Sequence, residues 1–418
     1  MGLVALSGSA ASSGHPFLVR LASHFWFFVA STVFLMASSQ LSAAQDQQLG
    51  ARTKAMGGSY TAFEDDPVSV WLNPAGIATQ PDQGSITYQT YTVYPLHKSG
   101  ASGSSPITTS TGPKTSFVDP AFIPSYLGFV FQVGDADLPM ALGVCYARPY
   151  HLNYSFAKVD DPTLTTFVPD SNTEQSFGRF RVAYALDFRF RGPQEGFLTH
   201  VAVGAGVDLG FEHWRFNSDT QSLSDTETSL GGGGGFLICV YDAEAIKVNF
   251  GAAYQSAIHW NFSTNPKVAP AFQMPQQINL GTTFYLLKGT PLRLTIDGQW
   301  IQWSKTAIDP FFPGQPRFRD AYNASVGVEY RIQVSQKLRL YPRVGYRRFE
   351  APWQDQRDLP MTSNYKLVLN TKASVFNMGT SGVGLSWTTA GGKIHSFDFG
   401  ADFGGDSPNF ALGFNTEF

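Results

Sequence analysis

The feature that most constrains this chain is a two-residue alternation of apolar and polar side chains, sustained through unusually long runs. From Arg179 to Arg191 the even positions read Phe180, Val182, Tyr184, Leu186, Phe188 and Phe190, and the odd positions read Arg179, Arg181, Ala183, Ala185, Asp187, Arg189 and Arg191. Successive side chains of a strand point to opposite faces, so such a run sets one face against something oily and the other against water or a polar interior. Residues 246–262 repeat the pattern: Ile246, Val248, Phe250, Ala252, Tyr254, Ile258 and Trp260 oppose Lys247, Asn249, Gln255, His259 and Asn261. Strands of globular proteins are typically about five or six residues long, so both runs point to a strand that crosses a membrane.

Counted along the chain, the alternation predicts strands at 84–94, 122–133, 139–150, 174–190, 197–216, 229–241, 245–262, 276–287, 292–303, 321–332, 337–349, 376–387, 393–403 and 409–418. Short turns at 134–138, 192–196, 242–244, 288–291 and 333–336 separate long polar loops at 95–121, 217–228, 263–275, 304–320 and 350–375. Outer-membrane barrels have this asymmetry of short periplasmic turns and long extracellular loops, whereas a soluble sandwich has no reason to sort its connections. The fold class is therefore all-β: a 14-stranded antiparallel transmembrane β-barrel over residues 84–418. Such a ring is roughly 28 Å across at the backbone, too wide for strand side chains to fill.

Composition narrows the partners. With 15% charged and 14% aromatic residues the chain is not built like a disordered one, and 29 basic against 32 acidic residues offer no counterion-release drive toward nucleic acid. Two cysteines, Cys145 and Cys239, cannot form a disulfide scaffold or an all-cysteine zinc site. Residues 1–44 carry one basic residue, Arg20, then the apolar run 25–36 and a small-residue stretch that ends Ser42-Ala43-Ala44. This predicts a signal peptide cleaved before Gln45, because the apolar run is too short to span a bilayer. The mature protein is then placed in the outer membrane among its lipids. The alternation Phe410, Leu412, Phe414, Thr416, Phe418 resembles the terminal signal by which the barrel assembly machinery recognises its clients, with Phe418 the deciding residue.

Residues 45–83 precede the first strand and contain Gly50-Ala51-Arg52, Met56-Gly57-Gly58-Ser59-Tyr60-Thr61-Ala62, Asp65-Asp66-Pro67 and Trp71-Leu72-Asn73-Pro74-Ala75-Gly76. Throughout residues 50–76 this segment resembles the motif of the FadL-type superfamily of outer-membrane transport proteins, in wording closest to its PorV/PorQ branch. The resemblance implies that residues 45–83 form an N-terminal plug, or hatch, inside the barrel. Gly57 and Gly58 permit close backbone approach, Asp65 and Asp66 can cap or turn the chain, and Asn73-Pro74 redirects a short helix. Two adjacent carboxylates without further ligand spacing make a weak cation site, so no metal or cofactor is predicted. Phe63 and Trp71 are candidates to line a hydrophobic binding site, the alternative being packing of hatch on wall.

If the apolar parity faces lipid, the lumen receives charges of both signs, among them Arg179, Arg181, Asp208, Glu212, Arg293, Asp297, Glu329, Arg343 and Arg347, which favours ion-pair networks holding a plug over a single-sign filter. In the third strand Arg148 falls on the lipid-facing phase beside Pro149, which has no N–H for the ladder. In FadL-like proteins an inward kink of the third strand opens a lateral route, so Arg148 and Pro149 are candidate gate residues; the alternative is that the strand ends at the rim. The sequence holds no H-E-x-x-H, G-x-S-x-G or Walker loop, and neither His200 nor His213 has an evident serine and carboxylate partner. A non-enzymatic carrier is expected. It would move hydrophobic small molecules of fatty-acid or hydrocarbon type through a hatch-gated lateral opening. The alternative is a PorV-like carrier whose partners are secreted proteins.

Overall fold

The computed structural model describes residues 49–63, 65–89, 91–93, 114–116, 124–135, 138–156, 171–190, 196–218, 222–260, 273–286, 292–305, 319–350, 375–403 and 409–418. The proposed signal peptide 1–44 and most of the long loops lie outside these residues.

Fourteen strands hydrogen-bond in one antiparallel ring. In chain order they are β1 Gln83–Gln89, β2 Tyr126–Gln132, β3 Met140–Phe156, β4 Ser171–Arg189, β5 Gly196–Ser218, β6 Ser222–Asp242 and β7 Ile246–Gln255. The second half comprises β8 Gln277–Leu286, β9 Leu292–Ile301, β10 Ala321–Tyr330, β11 Leu338–Glu350, β12 Val375–Thr388, β13 Ile394–Phe403 and β14 Asn409–Glu417. Each pairs with its chain neighbours, and β1 closes the ring by pairing with both β2 and β14. Closure leaves no open edge, which a bilayer would not tolerate. No helix among the described residues is long and apolar enough to cross a membrane.

Side-chain parity follows the sequence pattern. On β4, Phe180, Val182, Tyr184 and Phe188 are 43–44% exposed on the outer face, while Arg179, Arg181 and Asp187 are 0–1% exposed inside. Cys145 and Cys239 are free and buried.

Four sequence-based boundaries change. The first strand was expected to reach residue 94; the ring strand ends at Gln89, and Tyr91–Val93 pairs instead with Lys114–Ser116. The loop expected at 217–228 is mostly strand, because β5 and β6 pair as far as Asn217↔Ser222. At 23 and 21 residues these strands far exceed the roughly 9–11 needed to cross a bilayer. Above the membrane both faces meet water, so no apolar parity marks the extension.

The third correction concerns residues 246–262. The ring strand stops at Gln255, and Ile258–His259 pairs with Met274 and Gln273. Ile258 and Trp260, expected toward lipid, are 0% and 1% exposed and lie against Gly210 and Gly231 of the inner face. The break at Ser256-Ala257 shifts the phase and lets two large apolar groups fill lumen space that glycines leave open.

The fourth lies in β3, which does not end at the rim but runs on to Phe156. Its register against β4 shifts between Ala147↔Arg179 and Tyr150↔Phe177, so Arg148 and Pro149 together oppose Gly178. This is a β-bulge, placed where proline cannot serve the ladder. Arg148, expected toward lipid, is 4% exposed, and its N–H donates to the Ser125 carbonyl. The extra residue turns the charge out of the lipid phase.

Residues 49–63 and 65–80 lie inside the ring. This inner segment forms helix α1 at Ala51–Ala55, helix α2 at Ser69–Leu72 and a 3-10 turn at Pro74–Thr79. It touches opposite walls: Lys54 meets Asp402 on β13, and Asn73 meets the Phe236 carbonyl on β6, seven strands away around the ring. Glycines on the inner wall make room for its backbone. A Cβ on Gly345 of β11 would come within 2.5 Å of the Met56 carbonyl carbon and 2.6 Å of Gly57 N, and one on Gly204 of β5 within 2.6 Å of Ala75 N. Gly57 itself has φ 71°, where an L side chain is strained.

Candidate functional site: the inner segment and its cavity

Three polar anchors position the inner segment. The first grows from the basic residues of α1. Arg52 donates through Nε and Nη2 to the two oxygens of Glu329, at 2.9 Å each, and through Nη1 to Asp65 at 3.1 Å. Glu329 also receives Arg343 Nε at 2.7 Å, and Arg293 Nη1 lies 3.2 Å from Glu329 and 2.6 Å from Asp65. Arg343 reaches on to Asp398 at 2.5 Å. Lys54 Nζ, on the same helix, meets Asp402 at 2.8 Å with both side chains at most 1% exposed. Buried charges persist only when paired in this way.

The second anchor is Asp297 on β9. Its Oδ2 accepts from Tyr60 N and Thr61 N at 2.8 Å and from Thr61 Oγ1 at 2.6 Å. The third lies at the end of the motif. Asn73 Nδ2 donates to the carbonyls of Thr61 and Phe236, and its Oδ1 accepts from Ala75 N at the start of the 3-10 turn, where Pro74 needs no hydrogen-bond partner for its nitrogen. The Trp71 carbonyl accepts from Arg181 at 2.9 Å and Gln255 at 2.8 Å, while Arg181 is held by Asp208 at 2.6 Å. Gly76 is packed where a Cβ would lie 2.7 Å from the Phe63 carbonyl.

The predicted site residues therefore separate by role. Asp65 joins the charge network, whereas Asp66 accepts from Val68 N at 2.9 Å and caps the turn that leads into α2. Burial pushes the Asp66 carboxyl up to about 6, against the pull of Arg52 and the Val68 hydrogen bond. Phe63 stacks on Tyr60 with ring centroids 4.3 Å apart, under the Arg52 guanidinium. Trp71 packs against the guanidinium groups of Arg179 and Arg181, 5.4 and 5.1 Å from its ring.

A cavity of about 80 Å³ lies between the inner segment and the wall. Gly57, Gly58 and Trp71 line it from inside, and strands β8 to β11 line it from the wall; Phe63 does not reach it. Trp303 and Phe349 contribute apolar surface that sequence reading had not singled out. Phe349 continues the inward parity of Arg343 and Arg347, and Trp303 closes the strand expected at 292–303 on the inward parity of Arg293 and Asp297, so for both the signal was available. Arg148 and Pro149 stand apart on β3 and do not line the cavity. His200 Nδ1 lies 3.0 Å from Asp187, and His213 Nδ1 lies 2.9 Å from Thr226 Oγ1.

Among solved structures, the toluene transporter TbuX of Ralstonia pickettii aligns with a TM-score of 0.52 at 16% identity, over 89% of this chain and 99% of that one. The toluene transporter TodX of Pseudomonas putida aligns at 0.51 and 12%, over 91% and 98%. A FadL homologue of Pseudomonas aeruginosa aligns at 0.50 and 12%, over 91% and 100%. The chain has the FadL-type fold. No protein-family model and no curated sequence matches it, so the likeness is one of architecture: a closed 14-stranded antiparallel β-barrel.

Two outcomes follow from the anchors. Glu329→Gln leaves Arg52 and Arg343 short of a buried counter-charge and is expected to destabilise the FadL-type barrel by about 3–5 kcal/mol, measured by urea unfolding in lipid vesicles. Asp66 has a folded value of about 6 above its ordinary 3.8, so the folded state binds the extra proton between these pH values. Stability should therefore rise as pH falls from 6 toward 4, with the penalty of the charged form fully present above 6. Asp66→Asn, which keeps the acceptor for Val68 N, should flatten that slope; a slope equal to wild type would remove Asp66 as its source.

Proposed function

We propose that the protein carries small hydrophobic compounds across the outer membrane, with residues 45–83 acting as a hatch and the wall opening laterally at Arg148 and Pro149. The bulge in β3 is the observation that carries this reading. At that point the ladder has two residues opposite one, beside a proline, and an irregular wall is tolerated at membrane depth only where protein or a cavity covers it. The inner segment packs close by, since Val70 and Ile77 lie against Gly143 of the same strand. An apolar solute gains from a sideways exit because it never has to enter the charged lumen below the inner segment. The described contacts of that segment with opposite walls support its role in blocking the straight axial path.

The solved structures of like fold include a monoaromatic hydrocarbon channel, CymD, as well as the toluene transporters, which suits a solute of this class. The same reading assigns Phe418, whose ring packs 5.8 Å from Phe131 at the turn end of the barrel, to recognition by the assembly machinery.

Replacing Arg148-Pro149 by a single alanine restores one-to-one pairing between β3 and β4 without turning a charge toward lipid, and flattens the wall. Uptake of radiolabelled toluene by cells expressing this variant should fall to the level of cells without the protein, while the barrel still shows heat-modifiable migration. Uptake equal to wild type would place the exit elsewhere. Co-purification of the wild type with a secreted protein in place of a small molecule would favour the carrier reading over transport.

A further inference from the structure

A strand at the margin of a sheet carries a row of unpaired N–H and C=O groups, which proteins blunt with lysine, proline or a bulge. Strand β6 has such a margin on the side of the membrane that carries the long loops. One side of β6 pairs with β5 along its length, from Ser222 to Asp242, whereas its other side pairs with β7 only from Gly233 onward. At the next residue Ser256 N donates to the Gly232 carbonyl at 2.8 Å, and Gly232 N donates to Ser256 Oγ at 2.9 Å. The chain then turns inward, setting Ile258 against Gly210 and Gly231. Among the described residues no strand lies alongside 222–231 on that side.

Backbone groups of alternate residues point the same way along a strand, so Leu230, Thr228, Thr226 and Ser224 present theirs to the side on which Gly232 meets Ser256. One is engaged locally, since Thr226 N donates to Asp225 Oδ1 at 2.8 Å. The common protections of an edge are missing here. Residues 222–231 contain no lysine, arginine or proline, and the register shifts of β6 fall at Phe197/His200 and Cys239/Tyr241, away from this stretch. The even-numbered residues are exposed on the outer face, and Asp225 and Glu227 lie half-buried on the inner one.

We infer that this edge takes up an extended basic polypeptide segment as an added strand. The inference stands apart from the transport reading. Main-chain hydrogen bonds supply the affinity of such an addition, and alternate side chains its selectivity. Lysine or arginine opposite Asp225 and Glu227 gains from both carboxylates, whereas an acidic residue there meets like charge across the ladder. The same charges argue against a second copy of this chain. Two barrels upright in one membrane bring their β6 strands together in parallel, which sets each acidic pair beside its counterpart.

The test uses the full mature chain in lipid nanodiscs and three short peptides. The first alternates lysine with threonine, the second glutamate with threonine, and the third lysine with proline. With lysine opposite the carboxylates, the threonines of the first peptide turn their N–H groups to the edge, and the third peptide keeps the charge but loses those donors. Fluorescence anisotropy should show the first binding about tenfold or more tighter than the second, and the third not binding. Hydrogen exchange of the Ser224, Thr228 and Leu230 amides should slow when the first is added. Thr228→Pro and, nearer the strand end, Ser224→Pro each place proline where the N–H faces away from β5, which an edge tolerates; both should abolish binding of the first peptide while heat-modifiable migration persists. Equal binding of the third peptide would replace strand addition with plain charge attraction and overturn the inference. Equal binding of the second would overturn the basic preference. Slow exchange of the three amides before any peptide is added would show the edge already covered and overturn it too, as would no binding of the first peptide to a folded barrel.

Discussion

Glu329 stands among three guanidinium groups, and the rest of the structure depends on that arrangement. Arg52 brings the inner segment to it, Arg343 links it to Asp398 on β13, and Arg293 carries the chain of charge out to Asp65. Glu329, Arg52, Arg343 and Asp398 are at most 10% exposed and cannot stay charged alone, so the wall and the inner segment complete each other, while Arg293 and Asp65 carry the network out to solvent. Lys54 with Asp402 repeats the device toward the closing strands of the ring. A segment held by charge on one wall and by Asp297 and the Asn73 amide on others is positioned from several sides without a continuous hydrophobic core of its own.

That positioning requires close approach, and the wall supplies it by omitting side chains. Gly204, Gly327 and Gly345 sit where the backbone of the inner segment presses against the strands. Apolar packing fills what remains: Trp71, Val70 and Ile77 form one cluster with small residues of β3 to β5, and Met56, Tyr60 and Phe63 form another. The cavity lies where these contacts separate, between the double glycine of the motif and strands β8 to β11. The cavity therefore sits at the seam between two parts that are otherwise tightly joined.

Much of this was legible in the sequence, because a membrane imposes a parity that a globular core does not. The outer and inner faces of β4, the number of strands and the two-signed lumen all follow from period two. Parity stops being informative where its cause ends. Beyond the bilayer the β5–β6 hairpin continues as strand with polar residues on both faces, so 222–228 resembled a loop. At Ser256-Ala257 one break reverses the phase and carries Ile258 and Trp260 inside. At Arg148-Pro149 one added residue does the same for a charge. The motif at residues 50–76 marked the inner segment, yet it could not distinguish Trp71, which reaches the cavity, from Phe63, which stacks behind Tyr60. The partners of Arg52 and Lys54 lie 277 and 348 residues away, and no local pattern names them.

The central claim is that the inner segment, held by these anchors, closes the lumen to water and ions. Conductance of the full mature chain in planar lipid bilayers tests it most directly. The account predicts insertion without a steady ionic current. A stable, open-pore current from the intact chain, of the size expected for an unobstructed 14-stranded ring, would contradict it.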